Sequence, residues 1–405
     1  MPVIQILRWL ALGLEGLLAM PVLYLCIVSI SAVLAARKHK KETGSISLAP
    51  SILNFAILVP AHNEIDVLGT LLGSLAALDY PQDHYAVYVV ADNCTDTTAE
   101  LARATGWVHV YERFDQNKRG KGYALNWLLQ QLKQGQLKYD AYVIIDADSV
   151  VESTFLLAMN KELAQGGRAL QACYTVLNVT ESPSAALRWI ALSLMNYVRP
   201  LGRDALGASS TLMGNGMCFS HDLLEQYPWQ AFSVTEDYQY YLTLVQHSER
   251  IRYVPDAIVR SVMPTTFAQM RTQDIRWESS RGGQPSWKVA WKLLKGGIVN
   301  RDFIRIEAVA ELLTPPLSCL VGLWLLTLVG SLLLWSIPYL LISIMLIIGL
   351  ICYIATAIYL LRPPPSVDLA LLHAPGFVLW KLWVLLVLER SKKHSAEWVR
   401  TSRTV

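Results

Sequence analysis

Polar and apolar positions divide this chain into two regimes. Long apolar runs occupy both ends, and short alternating runs lie between them. The first long run falls within Ile4–Ala36, interrupted by Arg8 and Glu15, and its clean part is Leu17–Ala36. A bilayer core takes about 20 apolar residues of helix to cross, so this run predicts a membrane anchor. It is too long for the apolar core of a secretory signal and has no small-residue cleavage site. Two further spans are predicted at about Leu312–Trp335 and Pro338–Leu361. A fourth apolar segment, Leu369–Leu388, contains Pro375, Gly376 and a central Lys381. A lysine at mid-bilayer costs roughly 2.5–3.5 kcal/mol, so this segment reads as interfacial or re-entrant.

The middle region, Ser51–Val299, alternates strand-like and helix-like patterns. Strands are predicted at Ile52–Val59, Ala86–Val90, Trp107–Tyr111 and Ala141–Ile145. Helices are predicted at about Ile65–Leu78, Thr97–Thr105 and Tyr123–Leu132. Such alternation predicts an α/β domain with a mainly parallel sheet and helices on both faces. Ligands of such sheets sit beyond the carboxyl ends of the strands. In Trp287–Lys295, Trp287, Trp291 and Leu294 share one helical face, and Lys288, Lys292 and Lys295 share another. That pattern suits a helix lying in the membrane interface. The chain thus reads as an anchor with a basic linker (1–50), a catalytic domain (51–285), interfacial amphipathic helices (286–311) and C-terminal spans with a tail (312–405).

Composition agrees with this division. Hydrophobic residues make up 53% and charged residues 17%, where soluble domains carry roughly a quarter charged. The net charge of +3 gives no reason to expect a nucleic-acid partner. The basic residues matter through their placement. Arg37, Lys38, His39, Lys40 and Lys41 follow the first span, and Arg390, Lys392, Lys393, Arg400 and Arg403 lie in the tail. The positive-inside rule puts both groups in the cytoplasm. The expectation is an integral protein of the inner or plasma membrane with its catalytic domain facing the cytoplasm. The six cysteines have neither CxxC nor zinc spacing and read as free thiols.

Candidate chemistry falls at the predicted strand ends. The first strand runs into Val59-Pro60-Ala61-His62-Asn63-Glu64, and the Glu64 carboxylate could accept from a nucleobase N–H. The second ends at Asp92, while Asp96 reads as a helix cap. Asn117-Lys118-Arg119-Gly120-Lys121-Gly122 combines glycines with cations before a helix, either an anion site or a basic surface turn. The fourth strand runs into Asp146-Ala147-Asp148. Two carboxylates so placed repel each other unless a divalent cation lies between them, and oxygen-only ligands favour Mg²⁺ or Mn²⁺. Gly214-Asn215-Gly216 is a turn where a ligand could approach the backbone. Thr235-Glu236-Asp237 opens a tyrosine-rich helical run, and its acids could simply serve the first turn. In Gln273-Asp274-Ile275-Arg276-Trp277, Arg276 could hold a phosphate and Trp277 could stack on a sugar or anchor at a membrane.

Taken in order, these motifs resemble glycosyltransferase family 2, and Gln273, Arg276 and Trp277 resemble the QxxRW signature of its membrane-integrated polysaccharide synthases. The resemblance covers about Ile52 to Trp277. It implies a GT-A fold, a Rossmann-like α/β domain flanked here by transmembrane helices. It further implies that Pro60, Glu64, Asp92 and Lys121 lie at the nucleotide-sugar donor, expected to be a UDP-sugar. Asp146 and Asp148 would hold the metal and diphosphate. Asp237 would be the base of an inverting transfer. Gly214, Glu236, Gln273, Arg276 and Trp277 would serve the pyrophosphate and acceptor. One departure is Ala91, where many members place an aspartate before the one matched by Asp92. The leading expectation is transfer to a growing polysaccharide. A single transfer to a lipid acceptor is the alternative, and an inactive nucleotide-binding scaffold a remote one.

Overall fold

The computed structural model describes residues 2–42, 51–263 and 287–390. The chain forms two compact units. One is drawn mainly from Lys41–Val179 and Ser209–Gln284, the other from Met1–Lys40, Thr180–Ala208 and Pro285–Lys393. Thr180–Ala208 lies inside the stretch read as catalytic domain, yet it groups with the apolar helices.

The first unit is built on an eight-stranded sheet. Its strands are β1 (Phe55–Ala61), β2 (Tyr85–Asp92), β3 (His109–Arg113), β4 (Ala141–Ile144), β5 (Ser149–Val151), β6 (Ala169–Val176), β7 (Met217–Ser220) and β8 (Ile251–Ser261). They lie in the order β3-β2-β1-β4-β7-β6-β8-β5. β1 runs parallel to both β2 and β4, pairing Phe55 with Tyr85 and with Ala141. Its residues are buried almost throughout, which is why Phe-Ala-Ile-Leu-Val shows no polar alternation. β2 and β3 are parallel as well. The expected parallel sheet therefore holds for these four strands. The other half is mixed, because β7 enters antiparallel between β4 and β6 and β5 runs antiparallel to β8.

The helices follow their sequence patterns. The one after β1, α1 (Ile65–Ala76), buries Leu68, Leu71, Leu72 and Leu75, the i, i+3, i+4, i+7 stripe of an amphipathic helix. Each such leucine contributes roughly 1.5–3 kcal/mol by leaving water. α2 (Thr98–Ala104) packs between β2 and β3 in sequence, and α3 (Lys121–Gln134) precedes β4. After β7, α4 (Glu236–Gln246) carries the Glu-Asp pair in its first turn.

In the second unit the N-terminal helix, α5, spans Pro2–Glu42 and contains the predicted Leu17–Ala36 span. The others are α6 (Pro183–Ser193), α7 (Arg199–Ala205), α8 (Trp287–Asn300), α9 (Phe303–Leu313), α10 (Leu317–Leu333) and α11 (Ile337–Leu361). Two described helices, Gln5–Lys41 within α5 and Ile337–Leu361, are long and apolar enough to cross a membrane. The predicted span Leu312–Trp335 corresponds to α10, which α9 meets at a 63° bend, where Pro315 and Pro316 cannot supply backbone N–H donors. α9 and α10 together are long and apolar enough for a crossing if the bent pair is one span. In α8 the packed positions are Ala290, Leu293 and Gly297, while Trp287 and Trp291 stay exposed. Leu369–Leu388 is interrupted by a 3₁₀ turn at Leu371–His373.

Candidate active site

Strands β1 and β2 end together and turn alike. Asn63 (φ 56°) and Asn93 (φ 53°) both adopt the left-handed conformation that asparagine tolerates better than most side chains. Asn63 Nδ2 donates to Thr95 Oγ1 at 3.1 Å, and Asn63 Oδ1 accepts from the Thr95 amide at 2.7 Å. These bonds tie the two strand-end loops into one rim. Pro60 is the last but one residue of β1, and Glu64 holds the N-cap position of α1 without a side-chain cap while its amide donates to Thr98 Oγ1. The N-cap position of α2 is Thr97 rather than the expected Asp96, which lies one residue earlier and accepts from the Thr98 amide at 3.1 Å.

Asp92 sits at the end of β2 and is buried. Its Oδ1 accepts from Arg113 Nη1 at 2.6 Å and from Asn93 Nδ2 at 3.0 Å. Arg113 was not singled out in the sequence, although it ends β3 in direct register with Asp92. The same guanidinium donates to the Lys118 carbonyl at 2.8 Å and so shapes the Asn117–Gly120 loop. Of that loop's cations, Lys118 and Arg119 are exposed and Lys121 turns inward.

The inward turn of Lys121 depends on glycine. Gly120 caps α3 at φ 123°, a conformation reserved for glycine. A Cβ on Gly122 would lie 2.0 Å from the Ala231 carbonyl oxygen, so only glycine lets α3 press against the segment leading into α4. Lys121 Nζ then reaches Asp146 Oδ1 at 2.6 Å and Glu236 Oε1 at 3.5 Å, and donates to the Gly214 carbonyl. Burial alone would lower its pKa, but Asp146 and Glu236 overcome that and raise it above the ordinary lysine range. Burial also pushes Glu236 up to about 7, against the opposing pull of Lys121.

Asp146 and Asp148 follow β4 at alternate positions, with Ala147 buried between them. The antiparallel entry of β7 brings the Gly214–Gly216 turn to this point, where the Gly216 amide donates to the Ile144 carbonyl at 3.0 Å. Asn215 then acts as a buried strut. Its Oδ1 accepts from the Asp146 amide at 3.2 Å, and its Nδ2 donates to Ser149 Oγ at 2.8 Å. Ser149 Oγ in turn lies 2.9 Å from Ser261 Oγ at the end of β8. Gly214 adopts φ 76°, and a Cβ there would stand 3.3 Å from Asp237 Oδ2 and 3.7 Å from Lys121 Nζ. Thr235, which precedes these acids, makes no side-chain cap to α4. The site therefore gathers Lys121, Asp146, Gly214, Glu236 and Asp237. Gln273, Arg276 and Trp277 lie outside the described residues.

The donor set at Asp146 and Asp148 is all oxygen and suits a hard divalent cation. Mg²⁺-type sites use one or two carboxylates and leave positions for substrate phosphates. Among the described residues no group of three or more His, Cys, Asp or Glu side chains is arranged so that it could hold a metal ion. Asp146 and Asp148 would thus be the protein's share of the coordination. Asp92, held by Arg113, is set apart from that pair by its ion pair.

Comparison with known proteins bears on the family and the fold. The profile of glycosyltransferase like family 2 matches residues 50–280. A beta-monoglucosyldiacylglycerol synthase of Nostoc sp. is 29% identical over 302 residues, covering 72% of this chain and 60% of that protein. A poly-beta-1,6-N-acetyl-D-glucosamine synthase of Staphylococcus epidermidis is 22% identical over 261 residues, covering 64% of this chain and 61% of that one. The chain thus spans about 60% of the length of these relatives. Among solved structures, a mannosyltransferase from Pyrobaculum calidifontis in complex with GDP-Man and Mn²⁺ aligns with a TM-score of 0.53 at 18% identity. That alignment covers 87% of this chain and 97% of that one, and it shows the shared GT-A fold.

Proposed function

The chain belongs to glycosyltransferase family 2, and on that premise we propose that it is a membrane-anchored, inverting hexosyltransferase using a UDP-sugar. The observation that carries this reading is the convergence of Lys121, Asp146, Gly214, Glu236 and Asp237 at one end of the sheet. In the proposed reaction Asp237 takes the proton of an acceptor hydroxyl. The oxygen forms a bond to the anomeric carbon as that carbon's bond to the diphosphate breaks, and configuration inverts. UDP leaves with the electron pair, and the proton stays on Asp237 until solvent removes it. A divalent cation at Asp146 and Asp148 would neutralise charge on the diphosphate. Lys121 and the backbone at Gly214 define the floor between donor and base.

For the acceptor we favour a membrane lipid over the polysaccharide ranked first from the sequence. The resemblance to two glucosyldiacylglycerol synthases, at higher identity and over more of the chain than the polymer synthase, supports a diacylglycerol hydroxyl and a glucosyl donor. The likeness to poly-N-acetylglucosamine synthase keeps polymer growth as the second reading. The test supplies the protein, in bilayers containing diacylglycerol, with UDP-glucose, UDP-N-acetylglucosamine, UDP-galactose or UDP-glucuronate in turn. UDP release and the mass of the lipid product are measured, with Mn²⁺ and with chelator. One hexose per lipid, lost on chelation, is the expected result. Products that lengthen with time would replace the lipid reading by the polymer one. Silence with every UDP-sugar would sink the donor assignment. The basic run Arg37–Lys41 supports a cytoplasmic catalytic unit, which protease access in oriented vesicles checks.

A further inference from the structure

Lys121 is the first residue of α3, the helix end at which a positive charge is disfavoured by the macrodipole. Its ammonium nevertheless turns inward and is shared among Asp146 (2.6 Å), Glu236 (3.5 Å) and the Gly214 carbonyl. Its side chain is only 17% exposed. The carboxylate it holds most tightly is the one proposed to take the divalent cation. Two cations on one carboxylate repel at short range, and the burial of Lys121 weakens the screening between them. Glu236 offers the ammonium a second anchor, and a nucleotide diphosphate would offer a third.

We propose that Lys121 is a positioning residue that couples cation and donor binding. It occupies Asp146 and releases that carboxylate when a nucleotide diphosphate gives its ammonium another anion. This inference rests on the reading of Asp146 and Asp148 as the metal ligands. Linkage makes the coupling reciprocal: the nucleotide tightens the cation by the factor by which the cation tightens the nucleotide. A merely structural ion pair makes the opposite forecast. Loss of Lys121 would then loosen the end of β4 and weaken the cation.

The test is Mn²⁺ binding to the full chain, by electron paramagnetic resonance at pH 8, with and without UDP. Wild type should bind Mn²⁺ weakly alone and about tenfold more tightly with UDP. Lys121→Met should tighten Mn²⁺ in the absence of UDP by about tenfold, with the gain from UDP shrinking towards none. Mn²⁺ alone should raise the melting temperature of Lys121→Met more than that of wild type. Glu236→Gln should act with the opposite sign. The ammonium loses its second carboxylate, settles on Asp146, and weakens Mn²⁺ binding without UDP by about threefold. A Lys121→Met protein that binds Mn²⁺ no better than wild type, or keeps the full UDP gain, overturns the inference. If Lys121→Met does not fold, Glu236→Gln decides alone, and unchanged or tighter Mn²⁺ binding overturns it. Asp148→Ala separates the two levels. If it binds Mn²⁺ as wild type does, the metal assignment itself fails and this inference falls with it.

Discussion

Glu236 and Asp237 are adjacent in sequence and differ in surroundings. Glu236 is buried beside Lys121, whereas Asp237 is half-buried, with Oδ2 facing Gly214 and Oδ1 accepting from the Tyr238 amide at 2.7 Å. If Asp237 is the base, Asp237→Asn should cost about 10²–10⁴-fold in kcat and leave UDP affinity unchanged. Paired kinetics and nucleotide titration measure this, and surviving turnover would move the role elsewhere. Glu236 supplies a pH prediction. Its carboxyl rises from 4.5 to about 7 through burial first, with Lys121 pulling the other way and Asp237 adding to the rise. A carboxyl raised in the fold costs no stability below its unfolded value. The cost grows as pH climbs from 4.5 to about 7 and then levels off. Glu236→Gln removes the titration. Its melting temperature should exceed that of wild type at pH 8, and the difference should shrink towards pH 5. A difference that grows on acidification would contradict the burial argument.

Among the elements of the apolar unit, the most specific join is polar. Arg199 and Arg203 lie one turn apart on α7, and Glu307 and Glu311 lie one turn apart on α9. Arg203 meets Glu307 through two bonds of 2.6 and 2.8 Å, and Arg199 meets Glu311 at 3.0 Å. Tyr24 of α5 donates to Glu307 at 2.6 Å, and Arg199 Nε donates to Tyr353 of α11 at 2.9 Å. Four helices thus share one buried charge network. Its value lies less in net attraction than in the cost of breaking it, since a lone buried charge has no solvent. Arg203→Met should therefore destabilise the unit by about 3–5 kcal/mol. The double change Arg203→Met with Glu307→Met should recover most of that. Thermal unfolding in detergent distinguishes the two, and equal losses would show that the arginine acts by volume alone.

For the whole molecule, two described helices meet the length and apolarity of a membrane crossing, and a third crossing forms if the bent α9–α10 pair is one span. After a wash at pH 11, which strips peripheral proteins, the chain should stay in the membrane pellet. Release into the supernatant would contradict the anchor reading. Much of this was written locally. Helix and strand patterns from Ile52 to Ile145 foretold their elements to within a few residues, because the periodicity of a helix or a buried strand is set by neighbouring positions. Asp92, Asp146 and Asp237 stood out for the same reason, each at the end or start of an element. Long-range pairing decided the rest. Only the register of β2 with β3 sets Arg113 on Asp92, and only the antiparallel entry of β7 carries Gly214 and Asn215 to Asp146. The grouping of Thr180–Ala208 with the apolar helices follows from partners such as Glu307, about a hundred residues downstream. By itself the sequence determined the local elements and which acids and cations fall near their ends. The tertiary structure decided that Lys121 stands between Asp146 and Glu236, because a side chain's partners are fixed by chain closure over long separations, which no local spacing records.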